Sequence, residues 1–374
     1  MMPGTESGAR IMTTSQIPVT VLTGYLGAGK TTLLNRILSE NHGRKYAVII
    51  NEFGEVGIDN EIVVGTDEEI FEMNNGCICC TVRGDLIRTI GGLMKRAGKL
   101  DGIIVETTGL ADPAPVAQTF FTDDEVRAKT KLDAVVTLVD AKHFPLRLED
   151  SREAEDQVAF ADVILLNKTD LVTPEELRKV EARIRQINPY ATIHRTAKSA
   201  VDIAKVLDKG AFDLQRILEL DPHFLEGGHH HHHHDHDAAT CTDPTHDHSH
   251  DHHHHDHDHD HDHDHHDHGA VNPKHADDIF SVSATVEGHV DPDKFQKWIS
   301  DTLRDQGQNI LRSKGILSVE GAVQRYVFQA VHMIADSSWG QKWRDGEKRI
   351  SKIVFIGRHL DAAALRGGFE ACRA

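Results

Sequence analysis

Gly24-Tyr25-Leu26-Gly27-Ala28-Gly29-Lys30-Thr31-Thr32 follows directly on the apolar run Val19–Leu22 and opens a stretch of helical spacing, Lys30–Leu38. A strand, a glycine-rich turn ending in Gly-Lys-Thr and a helix, in that order, fulfil the pattern G-x-x-x-x-G-K-[ST] in the context it requires. Glycines let backbone N–H groups turn toward phosphate oxygens, and the helix N-terminus adds positive potential. Gly24, Gly27 and Gly29 are therefore expected to cradle a nucleoside triphosphate. Lys30 then reaches its β- and γ-phosphates, and the Thr31 hydroxyl ligates Mg2+ with Thr32 beside it. A glycine-rich turn without function would not call for strand, Lys-Thr and helix together.

Outward from this turn the same alternation continues. Tyr46–Ile50, Gly102–Val105, Leu132–Val139 and Asp162–Leu166 are nearly all apolar, and Leu86–Ala97 and Pro174–Ile187 read as helices between them. Continuous apolar strands separated by helices indicate a mainly parallel sheet covered on both faces. The fold class is thus α/β, a P-loop NTPase domain over residues 18–221 preceded by a polar, disordered tail, 1–17. Residues 222–277 form a His/Asp-rich linker that cannot build a core. In 278–374 strands outnumber helices and follow one another directly (Ile279–Val286, Asn309–Ser318, Gln324–Ile334, Ile350–Ile356), with helices at Pro292–Gln306 and Leu360–Ala371. Short connections favour antiparallel pairing, hence a smaller C-terminal α+β domain.

Two further elements fall at strand ends, where open α/β sheets bind ligands. Asn167-Lys168-Thr169-Asp170 follows Val163–Leu166. A carboxylate at Asp170 accepts from guanine N1–H and the exocyclic amine, whereas adenine would leave it unpaired, a difference of roughly 10⁴ in selectivity at sites of this kind. The nucleotide is then GTP. Glu106-Thr107-Thr108-Gly109 follows Ile103–Val105 and stands where most GTPases carry Asp-x-x-Gly, so Glu106 faces the magnesium or its water and Gly109 the phosphate end.

Five cysteines are present, and Cys77, Cys79 and Cys80 lie too close together for a disulfide framework. In an extended loop Cys77 and Cys79 point the same way, and Cys80 near a helix start gains thiolate character. Three soft thiolates select Zn2+ or a similar late transition metal and leave a fourth position for Glu55, a histidine, water or a client's ligand. Small buried hydrophobes and a redox-sensing pair are the competing readings. Metal is favoured by His229–His268, which holds 21 of the 29 histidines interleaved with aspartate and could chelate zinc, nickel, copper or cobalt with little selectivity. Eleven aspartates of that tract supply much of the net charge of −18, so the rest is only mildly acidic. Neither nucleic acid nor membrane is called for. No run reaches the roughly 18 apolar residues of a membrane span and the N-terminus lacks a secretion signal, so a cytoplasmic location is expected.

Gly24–Thr32, Asn51–Asp59, Gly76–Cys80, Glu106–Pro113 and Asn167–Asp170, in this order, resemble the CobW family of metal-handling P-loop GTPases, across residues 18–374. Lys314-Gly315 and Trp339 look like parts of its C-terminal domain. The resemblance implies slow GTP hydrolysis tuned by metal, with Lys30, Glu106 and Asp59 in the hydrolytic site and Gly24, Gly27, Gly29, Lys30, Thr31, Thr32, Gly109, Asn167, Lys168 and Asp170 around the nucleotide. It implies Cys77, Cys79, Cys80 and Glu55 around zinc, or cobalt or nickel in its place. The implied role is a metallochaperone loading a client metalloprotein. Alternatives are a cobalt-handling factor for cobalamin biosynthesis and a non-catalytic metal buffer or sensor; homo-oligomerisation stays open.

Overall fold

The computed structural model describes residues 16–40, 42–50, 70–72, 80–96, 100–211 and 279–374. Glu55, Asp59, Cys77, Cys79 and His229–His268 lie outside the described residues, as do residues 1–15.

Chain order in the first unit is β1 (Ile17–Gly24), α1 (Lys30–Ser39), β2 (Tyr46–Ile50), β3 (Ile70–Glu72), α2 (Cys80–Arg96), β4 (Gly102–Glu106), α3 (Ala114–Thr122), α4 (Asp124–Lys129), β5 (Thr130–Asp140), α5 (Phe144–Asp150), α6 (Arg152–Phe160), β6 (Val163–Asn167), α7 (Pro174–Ile187) and β7 (Thr192–Arg195). The seven strands lie in the order β3-β2-β4-β1-β5-β6-β7, and every pairing is parallel. Alternation along each strand sends residues to opposite faces. Leu22, Val48, Ile104, Val136 and Leu165 pack under α1 with the 201–211 segment, and Val19, Val21, Ile49, Val105 and Leu166 pack with α2, α3, α6 and α7.

Sequence periodicity misses α3 to α6 because none exceeds nine residues, too few turns for an apolar stripe to repeat. Ser151 explains one break: its side chain accepts from Ala154 N and caps α6 immediately after α5 ends. By contrast α7 carries Pro174 at its first position and a reciprocal Thr173/Glu176 capping box, and its span is the one expected from the sequence.

The second unit comprises β8 (Ile279–Glu287), α8 (Pro292–Gln306), β9 (Ile310–Ser318), β10 (Gln324–Val331), β11 (Ile334–Lys342), β12 (Ile350–Arg358) and α9 (Ala362–Glu370). Its five strands run β11-β10-β9-β12-β8 and all pairings are antiparallel. The single strand expected over Gln324–Ile334 ends at Val331, where Val331 pairs with Ile334 across a two-residue turn. His332 takes φ 52° there, a place usually given to Gly or Asn, so the sequence carries no hairpin signal.

One face of this sheet holds α8 and α9 around Phe295, Phe355 and Phe369, and the other joins the core of the first unit through Ile316, Val327, Val354 and Trp343. The joint also contains a buried ionic cluster. Asp162, just ahead of β6, accepts from Arg312 Nη2 and Lys314 Nζ, each at 2.5 Å, and its other oxygen from Val135 N at 2.9 Å. Arg312 donates further to Phe160 O, and Lys314 to Ala211 O at 3.1 Å.

Candidate nucleotide site

At the C-terminal ends of β1, β4, β5 and β6 the chain folds into a connected set of loops. Two glycines of the 24–29 turn are obligatory for steric reasons. Gly24 has φ 140°, and a Cβ on it would lie 2.4 Å from Leu138 O of β5. Gly29 has φ 109°, and a Cβ there would lie 2.6 Å from Asn167 Nδ2 and 2.9 Å from Ser199 Oγ. Gly27, at φ 74°, is open to its surroundings.

Gly29 caps α1 without a side chain, and the first turn holds no acidic residue. The orphan N–H groups at this helix start are therefore left to an external acceptor, and the positive end of the helix favours an anion. Thr31 and Thr32 are exposed at the same end, while Lys30 is buried and folds back to donate from Nζ to Gly24 O at 2.7 Å.

Asn167 is the buried staple of the site. Its Nδ2 donates to Ala28 O (2.9 Å) and Ser199 Oγ (3.1 Å), and its Oδ1 accepts from Ser199 N (2.9 Å) and Thr196 Oγ1 (3.1 Å). These bonds tie the phosphate turn, β6 and the 196–199 loop into one unit. Asp170, in contrast, is exposed in a 3-10 turn over Thr169–Leu171. That turn is attached to the same loop, because Thr169 donates from both N (3.2 Å) and Oγ1 (3.0 Å) to Thr196 O. Lys168 has φ 59° and donates from Nζ to Asp140 Oδ2 at 2.8 Å.

Thr196, Lys198 and Ser199 were not singled out by sequence. The available signal is the polar run Thr196-Ala197-Lys198-Ser199 directly after β7, at the same sheet edge as the other loops. Lys198 and Ser199 both take positive φ, 51° and 54°, which marks a constrained turn.

Glu106 ends β4 and is buried. Thr107 N donates to Leu22 O at 2.9 Å, and Thr107 Oγ1 to Thr23 Oγ1 at 3.0 Å, so this strand end is laced to β1. Gly109 presses on the phosphate turn: a Cβ there would lie 2.6 Å from Leu26 N. Gln157 Nε2 holds the loop from behind, donating to Gly109 O at 3.1 Å and Ala111 O at 3.2 Å.

The cysteine segment connects to this same edge through the sheet register. Ile50, last in β2, is paired with Glu106 on one side and Glu72 on the other. The stretch 51–69, which includes Glu55 and Asp59, leaves from Ile50, and 73–79, which includes Cys77 and Cys79, leaves from Glu72. Cys80 is the first residue of α2, six residues before the start expected for that helix. Among the described residues no group of three or more His, Cys, Asp or Glu is placed to hold a metal. No described helix is long and apolar enough to cross a membrane.

Known proteins resemble this chain over nearly all of its length. A nucleotide-binding domain of the CobW/HypB/UreG type matches residues 18–195, and the cobalamin synthesis protein cobW C-terminal domain matches 279–373. The zinc chaperone YjiA of Escherichia coli is 32% identical over 362 residues, 96% of this chain and 99% of that one. The zinc-regulated GTPase metalloprotein activator 1 of Schizosaccharomyces pombe is 40% identical over 218 residues, 56% of this chain and 53% of that protein. The crystal structure of Zn(II)-bound YjiA GTPase from E. coli aligns with a TM-score of 0.68 at 29% identity, covering 96% of this chain and 99% of the other. With both domains matched in order, and a full-length relative of the same architecture, the chain belongs to the CobW family.

Proposed function

We propose that the chain is a GTP-hydrolysing metallochaperone that binds zinc and delivers it to client metalloproteins. The observation that carries this reading is the strand register Glu72–Ile50–Glu106: the segments bearing Cys77–Cys80 and Glu55 leave from Glu72 and Ile50, on the β2 side of Glu106, whose neighbour Thr107 is bonded to the end of β1.

In this reading the uncapped start of α1, with Gly24, Gly27 and Gly29 keeping the turn open, takes the phosphates, and Lys30 leaves Gly24 O to meet them. The exposed Thr31 hydroxyl at that helix start fits a hard cation that prefers oxygen ligands, with Thr32 beside it. Bound Mg2+ would offset phosphate charge. Glu106 and Asp59 serve the hydrolytic end, Gly109 keeps the 106–111 loop against the phosphates, and Asp170 reads guanine. Cys77, Cys79 and Cys80, with Glu55, receive the zinc cargo, and His229–His268 gathers ions around it. The zinc chaperone and metalloprotein activator named above support the cargo and the client class.

Coupling between nucleotide and zinc is reciprocal. If Mg-GTP changes zinc affinity about 100-fold, zinc changes GTP affinity equally, about 2.7 kcal/mol. Zinc, cobalt and nickel are titrated into metal-free protein with and without Mg-GTP, following metal occupancy and phosphate release together. The expected outcome is a nucleotide-dependent zinc affinity that is lost when Cys77, Cys79 and Cys80 become serine. Equal zinc affinity in both nucleotide states would end the proposal, and a stronger response to cobalt would change the cargo.

A further inference from the structure

We propose that Asp140 is a positioning residue of the nucleotide site that acts through Lys168, clamping its ammonium so that the methylene stem stands as a fixed wall beside the base. The role rests on the guanine-nucleotide reading given above.

Asp140 is the last residue of β5 and pairs in register with Asn167 of β6, one residue before Lys168. Ala141 N also donates to Asn167 O at 2.9 Å, so the two strand ends are joined at this level. All of the Asp140 carboxylate is engaged. Oδ1 accepts from Lys142 N (3.0 Å) and His143 N (3.2 Å), and Oδ2 accepts from Lys168 Nζ (2.8 Å) and His143 Nδ1 (2.9 Å). One oxygen fixes the carboxylate to the backbone, and the other is presented to the lysine in a set direction. The side chain is only 12% exposed. Burial pushes its carboxyl up, but the hydrogen bonds from Lys168 and His143 outweigh that and hold it below the ordinary aspartate value, so it stays charged.

The lysine is constrained from its other end as well. Its backbone has φ 59°, within the left-handed region, and Asn167 before it is stapled to the phosphate turn. The clamped pair lines a cavity of about 440 Å³ together with Tyr25, Leu26 and Gly27 of that turn. An untethered lysine would lose rotamer freedom each time a base docked against it, whereas a stem held at both ends has lost it beforehand. Asp140 itself has no free oxygen with which to read a base, unlike the exposed Asp170.

Asp140→Asn keeps an oxygen for the two backbone N–H groups and removes the charge that holds Lys168. Expected are a KM for GTP and a Kd for GDP about tenfold higher, the effect falling on KM rather than kcat, with the unliganded melting midpoint little changed. Lys168→Gln, which keeps the stem and removes the charge from the other side, reproduces that loss should Asp140→Asn fold poorly. Combining Asp140→Asn with Lys168→Ala adds nothing to Lys168→Ala alone, because both act through one element. Unchanged GDP affinity in Asp140→Asn and in Lys168→Gln, or a fully additive double variant, overturns the role. GDP and ADP affinities of the parent are measured alongside; a parent that does not prefer GDP overturns the guanine reading itself.

Discussion

Asn167 is a test of whether the site is held together by hydrogen bonds or by shape. Replacing it with alanine removes four bonds, between 2.9 and 3.1 Å long, whose partners Ala28 and Ser199 are 1% and 0% exposed. Ser199 Oγ keeps a partner in Gly29 O at 3.1 Å, so the groups stranded are Ala28 O, Ser199 N and Thr196 Oγ1. At about 1 kcal/mol for each, the loss is about 3 kcal/mol. In a chain of this size that lowers the melting midpoint by roughly 4 °C. A nucleotide must then bring the relaxed loops back into place, which weakens GDP binding by up to about 100-fold. Asn167→Asp separates bonding from volume: it fills the same space but turns a second acceptor toward Ala28 O, where Nδ2 now donates at 2.9 Å. It is expected to be as damaging as alanine. Binding is followed with a fluorescent guanine nucleotide and stability by thermal unfolding. If Asn167→Asp binds GDP within threefold of the parent and melts with it, the staple is not what orders these loops.

Two other perturbations probe the scaffold. Arg312→Ala leaves Asp162 buried with Lys314 as its remaining cation and should cost about 3 kcal/mol in denaturant unfolding; a loss below about 1 kcal/mol would mean that the cluster does not fasten the second sheet to β6. Burial pushes the Asp162 carboxyl up, but Arg312 and Lys314 outweigh it and hold the carboxyl below its ordinary value. Its contribution is therefore complete above the unfolded value of about 3.9 and fades as the pH falls below it, so Asp162→Asn should flatten that part of the acid unfolding curve. Cys372 is buried, donates to Gly368 O, and has its thiol pushed up by burial to about 11. At pH 8 it should resist alkylation in native protein and react once denatured, as read by peptide mass; rapid native labelling would contradict that packing.

Much of this protein is legible along the chain because its signals are local. Gly24–Thr32, Glu106–Gly109 and Asn167–Asp170 each follow an apolar run, and a strand that ends in a chemical motif identifies both the fold class and the edge where ligands bind. The antiparallel second sheet was legible too, since short connections leave strands little choice. Short helices were not, because α3 to α6 are stabilised by the sheet they cover more than by any repeat of their own. The β10–β11 hairpin was not, because His332 adopts a turn conformation its residue type does not advertise.

What only the tertiary structure decided is which distant residues serve one another. Asn167 looks in sequence like part of a base-reading motif, yet its amide is spent on Ala28, Thr196 and Ser199. Asp140 belongs to no motif at all, and it meets Lys168, 28 positions away, because β5 and β6 lie side by side in parallel register. Sequence determines which side chains are capable of a given chemistry, since that capacity is covalent. Pairing across a sheet depends on strand order and register, which arise only when the whole core closes.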